Sequence, residues 1–244
     1  YELMTAGGTL RELPLTVAVD TVIAPTRLLP EPGVTLAELE QARAQLPSGW
    51  VPIGSWNTPG NLFAAFCMAY CIGAYTDRAT ASCDFLQQSF YDYLTWCKTW
   101  GGDGSIPLTP EKELLHIWQI ESLSWLAGRS ETVQEHWYGE SAYTFIGFPT
   151  EDGSIGNGYR VRSALGVSPQ CAHTDAARAF LEYCFSYVQG AFIPAYYALL
   201  QAELAEYIAG NRTDWRGEVE LVSETDAAKF YELLQNVPIL EGLD

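Results

Sequence analysis

Basic residues are scarce in this chain. Against 30 Asp and Glu stand 13 Lys and Arg, a formal net charge of −17 over 244 residues. Such a surface repels phosphate backbones and anionic lipid, which excludes a nucleic-acid partner. Long apolar runs are missing too. The most apolar stretch, Leu62 to Ala74, falls well short of the ~20 residues that cross a bilayer, so no direct membrane insertion is expected and a buried helix is. The 3 His residues, at 116, 136 and 173, form no HExxH, and there is no GxSxG elbow and no P-loop. Gly153-Ser-Ile-Gly156-Asn-Gly158 lacks the strand-to-helix setting of a dinucleotide fingerprint. No catalytic residue, no metal site and no cofactor is expected, and the chain reads as a non-enzyme. An acid pair for glycoside cleavage could be drawn from so many carboxylates, which leaves a carbohydrate-active enzyme as a lesser alternative.

The 6 cysteines show neither redox nor zinc-knuckle spacing; Cys67 and Cys71 are one helical turn apart. Their neighbours are apolar, as in Phe66-Cys67-Met68 and Tyr183-Cys184-Phe185, so they read as small buried hydrophobes. No initiator Met, basic leader or lipid-attachment cysteine stands near Tyr1, and the chain is expected to be a trimmed piece of a longer one.

What is there is an apolar fraction of 48%, enough for a core. Leu13, Leu15, Val17, Val19, Thr21 and Ile23 recur with a period of two and predict a strand. Pro30-Glu-Pro-Gly33 forces a turn, and Thr35-Leu-Ala-Glu38 is a capping box that starts a helix with Leu36, Leu39, Ala42 and Leu46 inward. Further helices are expected at about 61–75, at 85–100 with Phe90, Leu94 and Cys97 on one face, and at 111–126 with Leu114, Leu115 and Trp118 inward. A short helix at 131–137 precedes a strand at 142–148. A polar, Gly-rich passage leads to a second strand, Tyr159 to Val167, and helices follow near 175–187, 193–209 and 226–236.

Several stretches, in order, resemble the extracellular solute-binding proteins of ABC importers (family 1, maltose-binding-protein-like). Gly8-Thr-Leu-Arg-Glu-Leu-Pro14 resembles the entry from the first lobe into the second. Val34-Thr35-Leu-Ala-Glu38-Leu39 resembles a capped helix start, with Val34 where Trp is frequent. Asp77-Arg-Ala-Thr-Ala-Ser-Cys83-Asp84-Phe85 resembles a connection in which Ala81 replaces the usual Gly. Phe145-Ile-Gly-Phe-Pro149 resembles a GxP strand end, and Ser168-Pro169 to Phe185 the helix that returns to the first lobe.

The resemblance implies an α/β fold, helix-rich and three-layered (α/β/α), of the type II periplasmic-binding-protein kind. It implies a crossing strand at 1–14, the second lobe at 15–150, a hinge at 151–158, part of the first lobe at 159–216 and a return segment at 217–244. Much of the first lobe and the C-terminal end would then be missing. It also implies capture of a small solute, a carbohydrate first, by hinge closure, with ABC permease subunits as partners. The expected address is extracellular or cell-surface, through a lipoprotein anchor in the parent protein. A sensory or interaction module of the same fold is the alternative.

Candidate ligand residues follow from aromatic and polar side chains near expected loops and crossings. Trp56 and Asn57 lie in the loop Trp50 to Asn57, where a Trp capping the lobe's core is the other reading. Trp118 is a candidate whose alternative is core packing. Phe148 and Tyr159 flank the crossover. Arg160, with Arg162 on the same strand face, could bond an anionic or hydroxyl-rich ligand or simply pair with the abundant acids.

Overall fold

The computed structural model describes residues 5–6, 9–10, 12–66, 75–77, 80–107, 112–127, 143–156, 158–186 and 192–235. The helix expected at 131–137, most of that expected at 61–75, and Cys67 and Cys71 lie outside these residues. Strands β1 (Thr5–Ala6) and β2 (Thr9–Leu10) form a small antiparallel pair. The fold is organised by β3 (Leu13–Pro25), a strand of 13 residues at the centre of a 6-stranded mixed sheet. Its β-branched and apolar residues alternate between two faces. Val17, Val19 and Ile23 enter one apolar cluster; Val22 and Ala24 enter the other.

After β3 come α1 (Leu36–Ala44), β4 (Trp50–Ile53), α2 (Pro59–Leu62), the hairpin β5 (Thr76–Asp77) and β6 (Ser82–Cys83), and α3 (Gln88–Trp100). β7 (Lys112–Ile120), β8 (Tyr143–Phe145), β9 (Gly158–Leu165), α4 (Thr174–Ser186) and β10 (Ile193–Pro194) follow. The remaining elements are α5 (Tyr197–Ile208), the hairpin β11 (Arg212–Thr213) and β12 (Val219–Glu220), and α6 (Glu224–Gln235). β7 pairs antiparallel with residues 19–23 of β3 and parallel with β4. β9 pairs with residues 13–20 of β3, and β8 with residues 23–25. Since Val19, Asp20 and Ile23 have partners on both sides, β7 lies along one edge of β3 while β8 and β9 share the other.

Helices cover both faces. Leu200, Leu204 and Tyr207 of α5, with Phe230 and Leu233 of α6, pack in the cluster on Val19 and Trp118. Leu39 of α1, with Tyr93, Trp96 and Trp100 of α3, packs in the cluster on Val22 and Leu115. The result is the three-layer α/β/α arrangement.

Three expectations need correction. The segment at 111–126 is no long helix: it is β7, followed by a helical turn at 124–127. Lys-Glu-Leu-Leu-His-Ile-Trp-Gln-Ile is apolar on both sides because β7 is covered from both faces, so its pattern mimics a buried helix. The inner face of α3 carries Tyr93, Trp96, Cys97 and Trp100, whereas Leu94 is 37% exposed. Of the described cysteines only Cys97 is buried; Cys83 is exposed, and Cys171 and Cys184 are half-buried. The capping box stands as read, with Glu38 N–H donating to Thr35 Oγ1 at 3.2 Å and Thr35 N–H to Glu38 Oε2 at 2.8 Å.

Candidate functional site

The stretch Trp50 to Asn57, expected to be a loop throughout, begins with β4, which is short and half-buried and runs parallel to β7. In open α/β sheets, ligands gather at the carboxyl ends of such strands. The chain leaves β4 through Gly54-Ser55-Trp56-Asn57 and turns into α2. Asn57 closes the turn twice, its N–H and its Nδ2 both donating to Gly54 O, at 2.9 and 3.3 Å. Thr58 caps α2 by accepting from Asn61 N–H at 3.2 Å, and Pro59 follows where no amide is needed.

A second loop, after α3, clamps the first. Gly102 N–H donates to Asn57 O at 2.7 Å and Gly104 N–H to Ser55 O at 2.9 Å. Only glycine permits this approach: a Cβ on Gly102 would lie 2.2 Å from Ser55 O, and one on Gly101 2.5 Å from Pro59 N. The clamp leaves Trp56 39% exposed, its indole folded against Gly54.

Ile53 pairs with Leu115, so the loop after β4 lies toward the C-terminal end of β7, where a polar row crosses the sheet. Asp20 of β3 sits between Gln119 of β7 and Gly158 of β9. Gln119 Nε2 donates to Asp20 Oδ1 at 2.9 Å; Arg160 donates through Nε to Oδ2 at 2.7 Å and through Nη2 to Oδ1 at 3.3 Å. Arg162 Nη2 pairs with Glu121 Oε1 at 3.2 Å. Burial raises the Asp20 carboxyl above its ordinary range, and the Arg160 hydrogen bond and charge pull it back. The row offers fixed donors and acceptors whose charges offset one another, a chemistry suited to hydroxyls.

Of the candidate residues, Trp56 and Arg160 are exposed. Asn57, 2% exposed, spends its side chain on its own turn. Trp118 is 2% exposed and stacks on Phe145 with centroids 5.9 Å apart; Phe148, 1% exposed, meets Phe66 edge-on at 4.9 Å. The Tyr159 backbone pairs with Val19, and its side chain lies outside the described residues. Asp20, Gln119 and Glu121 were missed; alternation in β3 could have flagged Asp20 as the acid amid apolar neighbours. Among the described residues no group of His, Cys, Asp or Glu converges to hold a metal ion, and no helix is long and apolar enough to cross a membrane.

The sequence matches no described protein family and no curated protein. The fold does find relatives. Binding protein MsmE of Bacillus subtilis, in an open conformation, superposes with a TM-score of 0.54 at 12% identity, over 98% of this chain and 63% of its own. The cyclic α-maltosyl-1,6-maltose binding protein of Arthrobacter globiformis gives 0.49 at 14% identity, over 75% of this chain and 50% of its own. An ABC transporter solute-binding protein of Thermotoga lettingae bound to α-D-tagatose gives 0.48 at 11%, over 74% and 51%. The chain thus spans between half and just under two thirds of the length of these proteins. The class this defines is the α/β lobe fold of solute-binding proteins. At such identities the fold is what is shared.

Proposed function

We propose that this chain captures a small carbohydrate for an ABC importer, as the solute-binding component outside the cell. The observation that carries this reading is the half-exposed Trp56, clamped in its turn at the carboxyl end of β4. An indole face packs against the C–H face of a sugar ring, while carboxylate, amide and guanidinium groups bond its hydroxyls. No bond of the ligand is made or broken, and no cofactor takes part.

Capture proceeds by hinge closure, which presents the liganded form to the permease subunits. The division into lobes belongs to the same proposal, with crossings near Leu13-Pro14, 150–158 and 216–224. It is supported by the register shifts of β3 between Pro14, Thr16 and Val17.

A thermal-shift panel of mono- and oligosaccharides tests it. At a hundredfold excess over Kd a ligand stabilises by about 2.7 kcal/mol, which for a chain of this size raises Tm by ~5–10 °C. A rise with at least one sugar, lost in Trp56→Ala, is the expected result. A panel with no rise contradicts the carbohydrate assignment.

A further inference from the structure

Glu113 is 1% exposed, next to Leu114 and Leu115, which are fully buried. A carboxylate stripped of water is costly unless it is paired and hydrogen-bonded, and an apolar side chain would pack this position without that cost. The carboxylate has two partners. Oε2 accepts from the Gly54 N–H at 2.5 Å, and Oε1 meets Nδ1 of His116, itself 5% exposed, at 2.5 Å. A charged acceptor makes the Gly54 contact stronger than a neutral one would.

Gly54 is the first residue of the loop that carries Trp56. A Cβ on it would lie 2.7 Å from Glu113 Oε2 and 2.7 Å from Trp56 Nε1. The carboxylate and the indole therefore close on the same residue. Gly54 has no left-handed backbone, so its missing side chain serves space and not conformation.

The geometry points to Glu113 as the positioning residue for Trp56: braced by His116, it fixes the Gly54 amide and so sets the orientation of the half-exposed indole. The role rests on the carbohydrate-binding reading for its purpose and on the Gly54 contacts for its mechanism. It gives a buried acid remote from the ligand a part in affinity.

The test is 19F NMR of the full chain labelled with 5-fluorotryptophan. Trp56→Phe and Trp118→Phe assign two resonances; Trp118, buried in the cluster with Val19 and Phe145, is the internal control. Glu113→Gln removes the charge, and Gly54→Ala keeps the carboxylate but inserts a methyl group beside the indole. In both variants the Trp56 resonance is expected to shift or split while that of Trp118 stays, and maltotriose affinity is expected to fall about tenfold. A Trp56 resonance unmoved in both, with Trp118 unmoved, overturns the proposal. If Glu113→Gln does not fold, Glu113→Asp, which keeps the charge but draws the carboxylate back from the Gly54 N–H, decides by the same criterion. A resonance that moves in a protein that binds no sugar upholds the positioning and overturns the carbohydrate reading, so the two failures are distinguishable.

Discussion

Trp118 is stacked on Phe145 in the core and Trp56 stands at a loop, 39% exposed, so truncating them should do opposite things. Trp118→Ala is expected to cost ~3–5 kcal/mol in urea unfolding, since it empties a packed site. Trp56→Ala should cost under about 1 kcal/mol and remove ligand binding. The sequence named both residues, yet which of them faces the core depends on the sheet around them. Asp20 was less legible still, because its partners Gln119 and Arg160 lie 99 and 140 residues away. Ala81 carries a φ of +50°, the left-handed conformation, at the position where the resemblance expects glycine. Ala81→Gly should therefore stabilise the chain by up to ~1 kcal/mol, read as a higher urea midpoint. Tyrosines set a pH limit. Burial first, then the Asp226 charge and the hydrogen bond donated to Asp226 at 3.1 Å, push the Tyr143 hydroxyl far above its usual range. Burial, with Glu220 nearby, takes Tyr207 up to about 12. The folded state thus keeps protons that the unfolded chain releases near pH ~10, so this stability is complete below that pH and is lost as pH rises above it. Urea midpoints should hold steady to about pH 9 and then fall, less steeply in Tyr143→Phe; an unchanged slope in that variant would contradict the assignment.

At the level of elements, local chemistry was readable where it is self-contained. The α1 capping box needs only Thr35 and Glu38, and both of its hydrogen bonds form. Thr35→Ala should cost ~1 kcal/mol in urea unfolding, and Ser at the same position should restore most of it. β7 was misread because helix and strand patterns converge when an element is buried on both faces. Leu114, Leu115 and Trp118 satisfy a helical spacing, and only the register with β3 and β4 decides. The same holds for β4, whose 4 residues carry Pro52 and no alternation strong enough to mark a strand. The candidate site inherits this limit. Its clamp depends on Gly101 and Gly102 meeting the Gly54–Pro59 turn from across α3, a contact with no local signature.

Across the whole molecule, the three-layer sheet explains why the resemblance succeeded where periodicity alone did not. The order of capped helix start, GxP strand end and return helix reports connectivity, whereas the MsmE structure shares the fold. One surface stands out. α4 leaves Phe180 59% and Tyr183 57% exposed, one helical turn apart. The chain is expected to bind a hydrophobic fluorescent dye in its native state, and the Phe180→Glu, Tyr183→Glu double variant to lose most of that signal. The central claim is capture of a carbohydrate through Trp56. Isothermal titration of maltotriose and of the best sugar from the thermal panel, into the wild-type chain and into Trp56→Ala, tests it most directly. Saturable binding at one site, abolished in the variant while its Tm falls by no more than about 4 °C, is the predicted result; binding that survives loss of the indole, or no heat with any sugar, would contradict the account.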